Sequence, residues 1–358
     1  MAYKISGTLN DSAKIVVINE ATNGIESSTT ESISNFNVYG VTSGTKTIIG
    51  ISSDGTSVSY TGVIPASYNI SANRGVFIGG SENYMDYIDI NTTGNASNFL
   101  TISTYYRYNT AISNGINDRG IFNKGYNASA ISYISISNNI KISAFGNLTI
   151  GRHYLGSCSN GINNRGIFGG GNTASSVQLN DIDYVNISTP SNSTNFGDLL
   201  EAIEGNAGTS NGVNDRGVFG GGYYTSLARN VIQYITISTF SNATDFGDLT
   251  ANNGHINSFS NNTNNRGIFS GGSFSNIINY ITISSAGNAS DFGDLSAAKR
   301  SSGSTSNGTN NRGVIAGGHN NTNALNVIDY ITITSAGNAQ DFGDLTMARL
   351  ELAATSNA

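Results

Sequence analysis

Few side chains in this sequence are equipped for chemistry. There are three histidines, His153, His255 and His319, and one cysteine, Cys158. The histidines fall at unmatched positions in separate segments, and no cysteine or carboxylate joins them at metal-ligand spacing, so no zinc site is expected. Cys158 stands in phase with Thr209, Thr305 and Thr355, so it reads as a small strand residue and not as a nucleophile. Serine is everywhere and histidine rare, so no Ser–His–Asp arrangement can be defended. Stretches such as Gly169–Gly171 lack the lysine and helix of a phosphate loop. The reading is of a non-enzymatic chain with no catalytic residue, no metal and no cofactor.

Charge recurs in one pattern. An Arg-Gly step followed by an apolar pair appears six times, at Arg74, Arg119, Arg165, Arg216, Arg266 and Arg312. Each copy continues with a tyrosine, Tyr87, Tyr133, Tyr184, Tyr234, Tyr280 and Tyr330, and then a phenylalanine, Phe99, Phe145, Phe196, Phe246, Phe292 and Phe342. Six arginines could make a cationic ring around a channel. Strict repetition favours a structural role instead, because a residue needed by every unit is part of the unit. Asp198, Asp248, Asp294 and Asp344 recur in four copies, with Asn147 and Thr101 in the others, so Arg–Asp pairing is possible but not obligatory. The tyrosines and phenylalanines are expected to pack between sheets.

The elements that position these residues follow from their spacing. Tyrosine to phenylalanine is 12 residues in every copy, and phenylalanine to the next arginine is 20. Only the arginine-to-tyrosine interval varies, through 13, 14, 19, 18, 14 and 18 residues. Loops tolerate insertion and strand ladders do not, so all the variation belongs to one hairpin just after the glycines. Around Arg216 the unit reads as strands near Thr209–Gly212, Arg216–Gly220, Ile232–Thr239 and Asp245–Thr250, bounded by Gly, Asn and Asp. Four strands in 45–51 residues make a propeller blade. The segment Thr355-Ser356-Asn357 matches Thr305-Ser306-Asn307 but has no Arg-Gly after it, so it is expected to complete the first blade and close the ring. The fold class is therefore all-β: a six-bladed β-propeller over residues 64–358. A parallel β-helix is the structural alternative.

Residues 1–63 lie outside the repeat. Lys4–Leu9, Lys14–Asn19, Thr45–Ser52 and Ser57–Gly62 read as strands separated by Asn-Asp, Asn-Gly and Asp-Gly turns. The expectation is a small N-terminal β-sandwich domain, about 60 residues being a marginal core, that acts as an adapter.

Composition bounds the partners. The 358 residues carry a net charge of −6 and only 11% charged residues, with 44 glycines and two prolines. Phosphate contact needs clustered Lys and Arg, so no nucleic acid is expected. No apolar run approaches the length of a membrane-spanning helix. The opening Met-Ala-Tyr-Lys-Ile-Ser-Gly lacks the apolar core of a signal peptide, and a lone cysteine forms no intrachain disulfide, so synthesis in a cytoplasm is expected.

The glycine doublets Gly79-Gly80, Gly221-Gly222, Gly271-Gly272 and Gly317-Gly318, with a tyrosine in every unit, resemble the kelch group of propellers. The usual tryptophan is absent, phenylalanine of the Phe-Gly-Asp-Leu element takes its place, and Asn123-Lys124-Gly125 departs from the doublet. The combination of Asn-Arg-Gly, Tyr-Ile-Thr-Ile and Asp-Phe-Gly-Asp-Leu, with the opening Met-Ala-Tyr-Lys-Ile-Ser-Gly-Thr-Leu-Asn-Asp-Ser-Ala-Lys-Ile, also resembles tail-associated virion proteins of marine bacteriophages. That resemblance implies a virion structural protein, made in the host cytoplasm. It would join other virion proteins through its N-terminal domain, within a larger symmetric assembly. The alternative is an adhesin for a host surface glycan or receptor; a propeller glycosidase or lyase is remoter. Residues that break the repeat are the places for binding: Tyr105, Tyr106 and Tyr108 in one segment, Tyr223 and Tyr224 in a long hairpin.

Overall fold

The structure is a computed structural model. It describes residues 73–357 apart from positions 114, 116–117, 127, 161–163, 211, 213, 261–264 and 308–310, and in the N-terminal part only the backbone of five strands. The chain divides into two units, Met1–Ser71 and Ala72–Ala358. In the first, Thr45–Ser52 pairs antiparallel with both Ala13–Lys14 and Ser57–Val63, and Val16–Asn19 forms a hairpin with Gly24–Ser27. The strand read from Lys4–Leu9 lies outside the described residues.

The second unit is a six-bladed β-propeller. In blade 6 the strands run Gly303–Ser306, Arg312–Ala316, Val327–Thr332 and Gln340–Asp344 from the channel outward, each antiparallel to the next. Blades 2 to 5 repeat this order with second strands starting at Arg119, Arg165, Arg216 and Arg266. Blade 4 adds a short hairpin pairing Tyr223–Tyr224 with Leu227-Ala228, which falls in the variable interval. Blade 1 takes its inner strand from the other end of the chain: Ala353–Ser356 pairs with Arg74–Ile78.

Each second strand shows one half-buried residue followed by four buried ones, because neighbouring sheets cover both of its faces. Six apolar clusters fill the wedges between blades; one joins Phe77 and Ile88 of blade 1 to Val314, Ile328 and Phe342 of blade 6. The glycine of the Arg-Gly step is set by this packing. A Cβ on Gly217 would stand 2.7 Å from Cys158 Sγ, so the inner-strand side chain of blade 3 rests on a bare patch of blade 4. Cys158 is buried there, and burial pushes its thiol pKa up, the opposite of a reactive thiolate.

The six arginines do not line the channel. Each guanidinium lies over the tyrosine ring of its own blade, 4.4–5.3 Å from the centroid, and the tyrosine meets the phenylalanine edge-on at 6.0–6.3 Å. Nη1 donates to the carbonyl of an isoleucine in the following blade: Arg119 to Ile187 at 2.7 Å, Arg216 to Ile283 at 3.0 Å, and Arg312 to Ile90 of blade 1 at 3.0 Å. No ion pair joins these arginines to Asp198, Asp248, Asp294 or Asp344 among the described residues. The neighbour's carbonyl takes the place of the carboxylate, which explains why Asn147 and Thr101 are tolerated. At these positions the backbone N–H links blades, as where Asp198 N–H donates to Asn242 Oδ1 at 3.0 Å, and in blade 2 the Asn147 side chain joins it by donating Nδ2–H to Asn192 Oδ1 at 3.3 Å. Arg216→Ala removes a cation–π contact and a charge-assisted hydrogen bond, each about 1–2 kcal/mol in partly buried settings. The urea midpoint should fall by the equivalent of about 2 kcal/mol, with Arg216→Lys recovering only part.

Candidate functional site

Nine residues after each repeat phenylalanine the chain turns into the next inner strand. The six residues there are Tyr108, Tyr154, Gly205, His255, Ser301 and Glu351. All six have left-handed backbone, with φ of 60°, 58°, 66°, 52°, 55° and 63°. Five are not glycine, and such backbone costs on the order of 1–3 kcal/mol per residue unless its surroundings enforce it. A closed belt of hydrogen bonds does so here. Each N–H donates to the carbonyl of its counterpart one blade back: Tyr154 to Tyr108 at 3.1 Å, Gly205 to Tyr154 at 2.8 Å, His255 to Gly205 at 2.8 Å, Ser301 to His255 at 3.1 Å, Glu351 to Ser301 at 2.7 Å, and Tyr108 back to Glu351 at 3.2 Å. The backbone alone closes this circle, which leaves the residue type at the six positions free to differ.

The belt rims one mouth of the channel, over a cavity of about 140 Å³ lined also by Asn206, Asn257 and small inner-strand residues. Deeper in, six serines one blade apart, Ser113, Ser159, Ser210, Ser260, Ser306 and Ser356, line a second cavity of about 130 Å³. Their hydroxyls tie blades together where Ser356 Oγ donates to the Ser306 carbonyl at 2.6 Å, and Ser306 likewise to Ser260.

The rim is split in character. On one side Tyr154 packs at a tilt against Tyr108, 4.3 Å between ring centroids, and against His255 at 4.4 Å. His255 reaches across the bare position: a Cβ on Gly205 would meet His255 Nδ1 at 2.8 Å. His153 and Tyr126 extend the aromatic row on one flank, and Tyr223 packs at a tilt against His255 at 5.1 Å on the other. The remaining two positions hold Ser301, next to His255, and Glu351, next to Tyr108; the buried Glu351 carboxylate accepts from Arg107 Nε at 2.6 Å and from the Tyr108 hydroxyl. Burial lowers the His255 pKa to about 4, so its imidazole is neutral near pH 7. Burial raises both Tyr108 and Tyr154, so both phenols stay protonated. The hydrogen bond to Glu351 raises Arg107 further.

Of the aromatics singled out by the sequence, Tyr108 is on the rim and Tyr223 is half-buried beside it, its hydroxyl 2.9 Å from Ser273 Oγ. Tyr105 and Tyr224 are exposed. Tyr106 is not a surface residue: it is 8% exposed and packs on Phe122 in the wedge between blades 1 and 2, because Ile102 and Tyr106 turn inward while their neighbours in that segment face solvent. The histidines read as scattered are partly gathered, since His153 and His255 both lie against Tyr154. Tyr154, His255, Glu351 and Arg107 escaped sequence reasoning. The signal was the column nine residues after the phenylalanine, which is constant in position and variable in identity.

The mouth end of the propeller also collects its exposed apolar side chains. The inner strand begins and the second strand ends there, as the pairing of Gly156 with Gly169 shows. The variable hairpins and the connections out of each blade follow at that end. Tyr126, Val177, Tyr224 and Leu227 lie in those hairpins, and Tyr105, Ile150, Leu200 and Met347 in those connections. Phe240, in a turn at the opposite end of blade 4, is the one other large exposed apolar residue among those described.

The class of protein is thus a six-bladed β-propeller consistent with a kelch-like one, glycine doublets ending its second strands in left-handed backbone. A scan against protein-family models gives no match, and a search of curated proteins finds no significant relative.

Proposed function

We propose that this chain is a structural and attachment protein of a bacteriophage virion, associated with the tail. The N-terminal unit, folded as a small sandwich, joins it to other virion proteins. The propeller presents its variable-hairpin face to the host. The observation that carries this reading is the gathering of exposed apolar side chains at one end of an otherwise near-repetitive ring. Scattered apolar residues need no explanation, whereas a one-sided collection marks a contact surface. The protonated tyrosines, the neutral histidine and the ion-paired carboxylate of the rim favour recognition over acid–base catalysis. The sequence resemblance to tail-associated proteins supplies the setting.

Two measurements test it. Quantitative mass spectrometry of purified particles should find the chain at a fixed ratio to the other virion proteins; its absence from particles would refute the assignment. Full-length chain should adsorb to host cells, and the double variant Tyr105→Ser, Leu227→Ser should reduce the retained fraction about tenfold with the melting temperature unchanged. Equal adsorption of the variant would remove the hairpin face from the proposal.

A further inference from the structure

We propose that the channel mouth is a binding site for one neutral pyranose unit of a saccharide, held between the Tyr108–Tyr154–His255 arc and Glu351. This deepens the attachment reading and rests on it for the source of the saccharide, but the site is argued from its own geometry.

Three observations carry it. The first is the split rim. A pyranose has an apolar C–H face and a hydroxyl edge, and it needs an aromatic platform opposite polar acceptors. The mouth supplies three rings in contact over four of its six positions, and over the other two Ser301 and the Glu351 carboxylate, which faces bare Gly205. Rigid aromatic area is gained here with few rotatable bonds to freeze. The second is the cost of the arrangement. Five non-glycine residues hold left-handed backbone so that side chains differing from blade to blade converge on one spot. Blade packing alone would be served by six glycines, as Gly205 shows. That bare position gives His255 the space to lean toward Tyr154. The third is charge. Glu351 is 8% exposed and balanced by Arg107, and the aromatic arc is uncharged. A buried carboxylate held this way accepts hydroxyl hydrogens strongly, and its charge is already met by Arg107, so the mouth offers no free ion for a charged sugar. Arg300, whose charge helps to lower the His255 pKa, places its guanidinium over the Phe274 ring at 4.3 Å, and no ion pair joins it to Glu351 among the described residues. Lower down, Asn206 lines the same cavity and is 5% exposed, and its Nδ2 has no protein acceptor, a donor available to a hydroxyl at the floor.

The test is saturation-transfer NMR on the full chain with methyl α-D-glucopyranoside, methyl β-D-galactopyranoside and methyl α-D-mannopyranoside, followed by titration calorimetry on the best of them. At least one neutral hexoside should receive saturation at its ring C–H protons. Glu351→Gln, which keeps volume and the backbone belt, should weaken its binding at least tenfold. Tyr154→Ala should abolish it, and Tyr108→Ala, which removes the neighbouring ring, should weaken it at least tenfold, so that the platform is tested even if the Tyr154 variant fails to fold. Transfer to none of the hexosides, or parental affinity in both Glu351→Gln and Tyr108→Ala, overturns the proposal. Transfer to methyl β-D-glucuronide alone overturns the neutral class. Host-cell adsorption without hexoside binding would sink this site and leave the attachment reading standing. Hexoside binding without adsorption would do the reverse.

Discussion

A chain ending at Leu352 should lose its cooperative thermal transition and aggregate at concentrations where the full chain is monodisperse. Residues 353–356 supply the whole inner strand of blade 1, and each pairs with the second strand, Ala353 with Ile78 through to Ser356 with Gly75. Asn357 Oδ1 also accepts from Arg74 N–H at 3.1 Å. The loss spreads beyond one sheet. Ser356 Oγ no longer donates to Ser306 of blade 6, and Thr355 no longer covers Gly120 of blade 2, where a Cβ would have stood 2.7 Å from its Cγ2. Several backbone hydrogen bonds at about 1 kcal/mol each, plus buried side chains at about 1–2 kcal/mol each, approach the 5–15 kcal/mol that holds a typical domain together. The exposed edge of Arg74–Ile78 would then offer unpaired N–H and C=O groups to other chains. Differential scanning calorimetry with light scattering reads both effects. A transition within a few degrees of the full chain would mean that the ring stays shut without this strand.

The architecture was legible because it is periodic. Fixed intervals of 12 and 20 residues locate three strands and two turns per blade, and confining all length change to one interval locates the hairpin. Strand ends were read less well. The inner strand of blade 4 is Ala207–Thr209, where the sequence suggested Thr209–Gly212, because the turning residue Gly205 carries no side-chain pattern to mark the entry. The rim was harder for the same reason that it can recognise something. Tyr108, Tyr154, Gly205, His255, Ser301 and Glu351 share a position and no chemistry, so a search for recurring residues passes over them. Their convergence is a product of ring closure: Tyr108 and Glu351 are 243 residues apart and adjacent in the belt. Arg107 was invisible for a related reason, since its partner Glu351 sits in the connection that returns to blade 1.

The same column logic yields the second large effect. Asp183→Asn should destabilise the propeller by about 3–5 kcal/mol, the cost of leaving a buried partner charge uncompensated. Asp183 is fully buried and accepts from Thr149 N and Oγ1 at 3.0 and 2.6 Å and from Ser193 Oγ at 3.0 Å, with Arg152 Nη1 at 3.3 Å. Burial pulls the Arg152 guanidinium pKa below its usual value despite Asp183, so the pair sits where charge is expensive. Blades 1 and 6 carry the same device as Arg349–Asp86 and Lys299–Asp329. In the other three blades both positions are uncharged: Tyr106 with Ser132, Ile203 with Gln233, Asn253 with Asn279. Charge therefore meets charge and neutral meets neutral in every blade, so the pairs are interchangeable modules and not requirements of the fold. In blade 4, Gln233 Oε1 accepts from Leu200 N–H at 2.7 Å, the bond that Thr149 N–H gives to Asp183 in blade 3. The double variant Arg152→Ile, Asp183→Gln copies blade 4 into blade 3 and should return to within about 1 kcal/mol of the parent or exceed it, because a packed neutral pair avoids the desolvation of two ions. Urea unfolding of the single and double variants decides the matter. If the double variant lost as much as the single one, the charges would be specifying blade 3 itself, and the modular account of the wedges would be wrong.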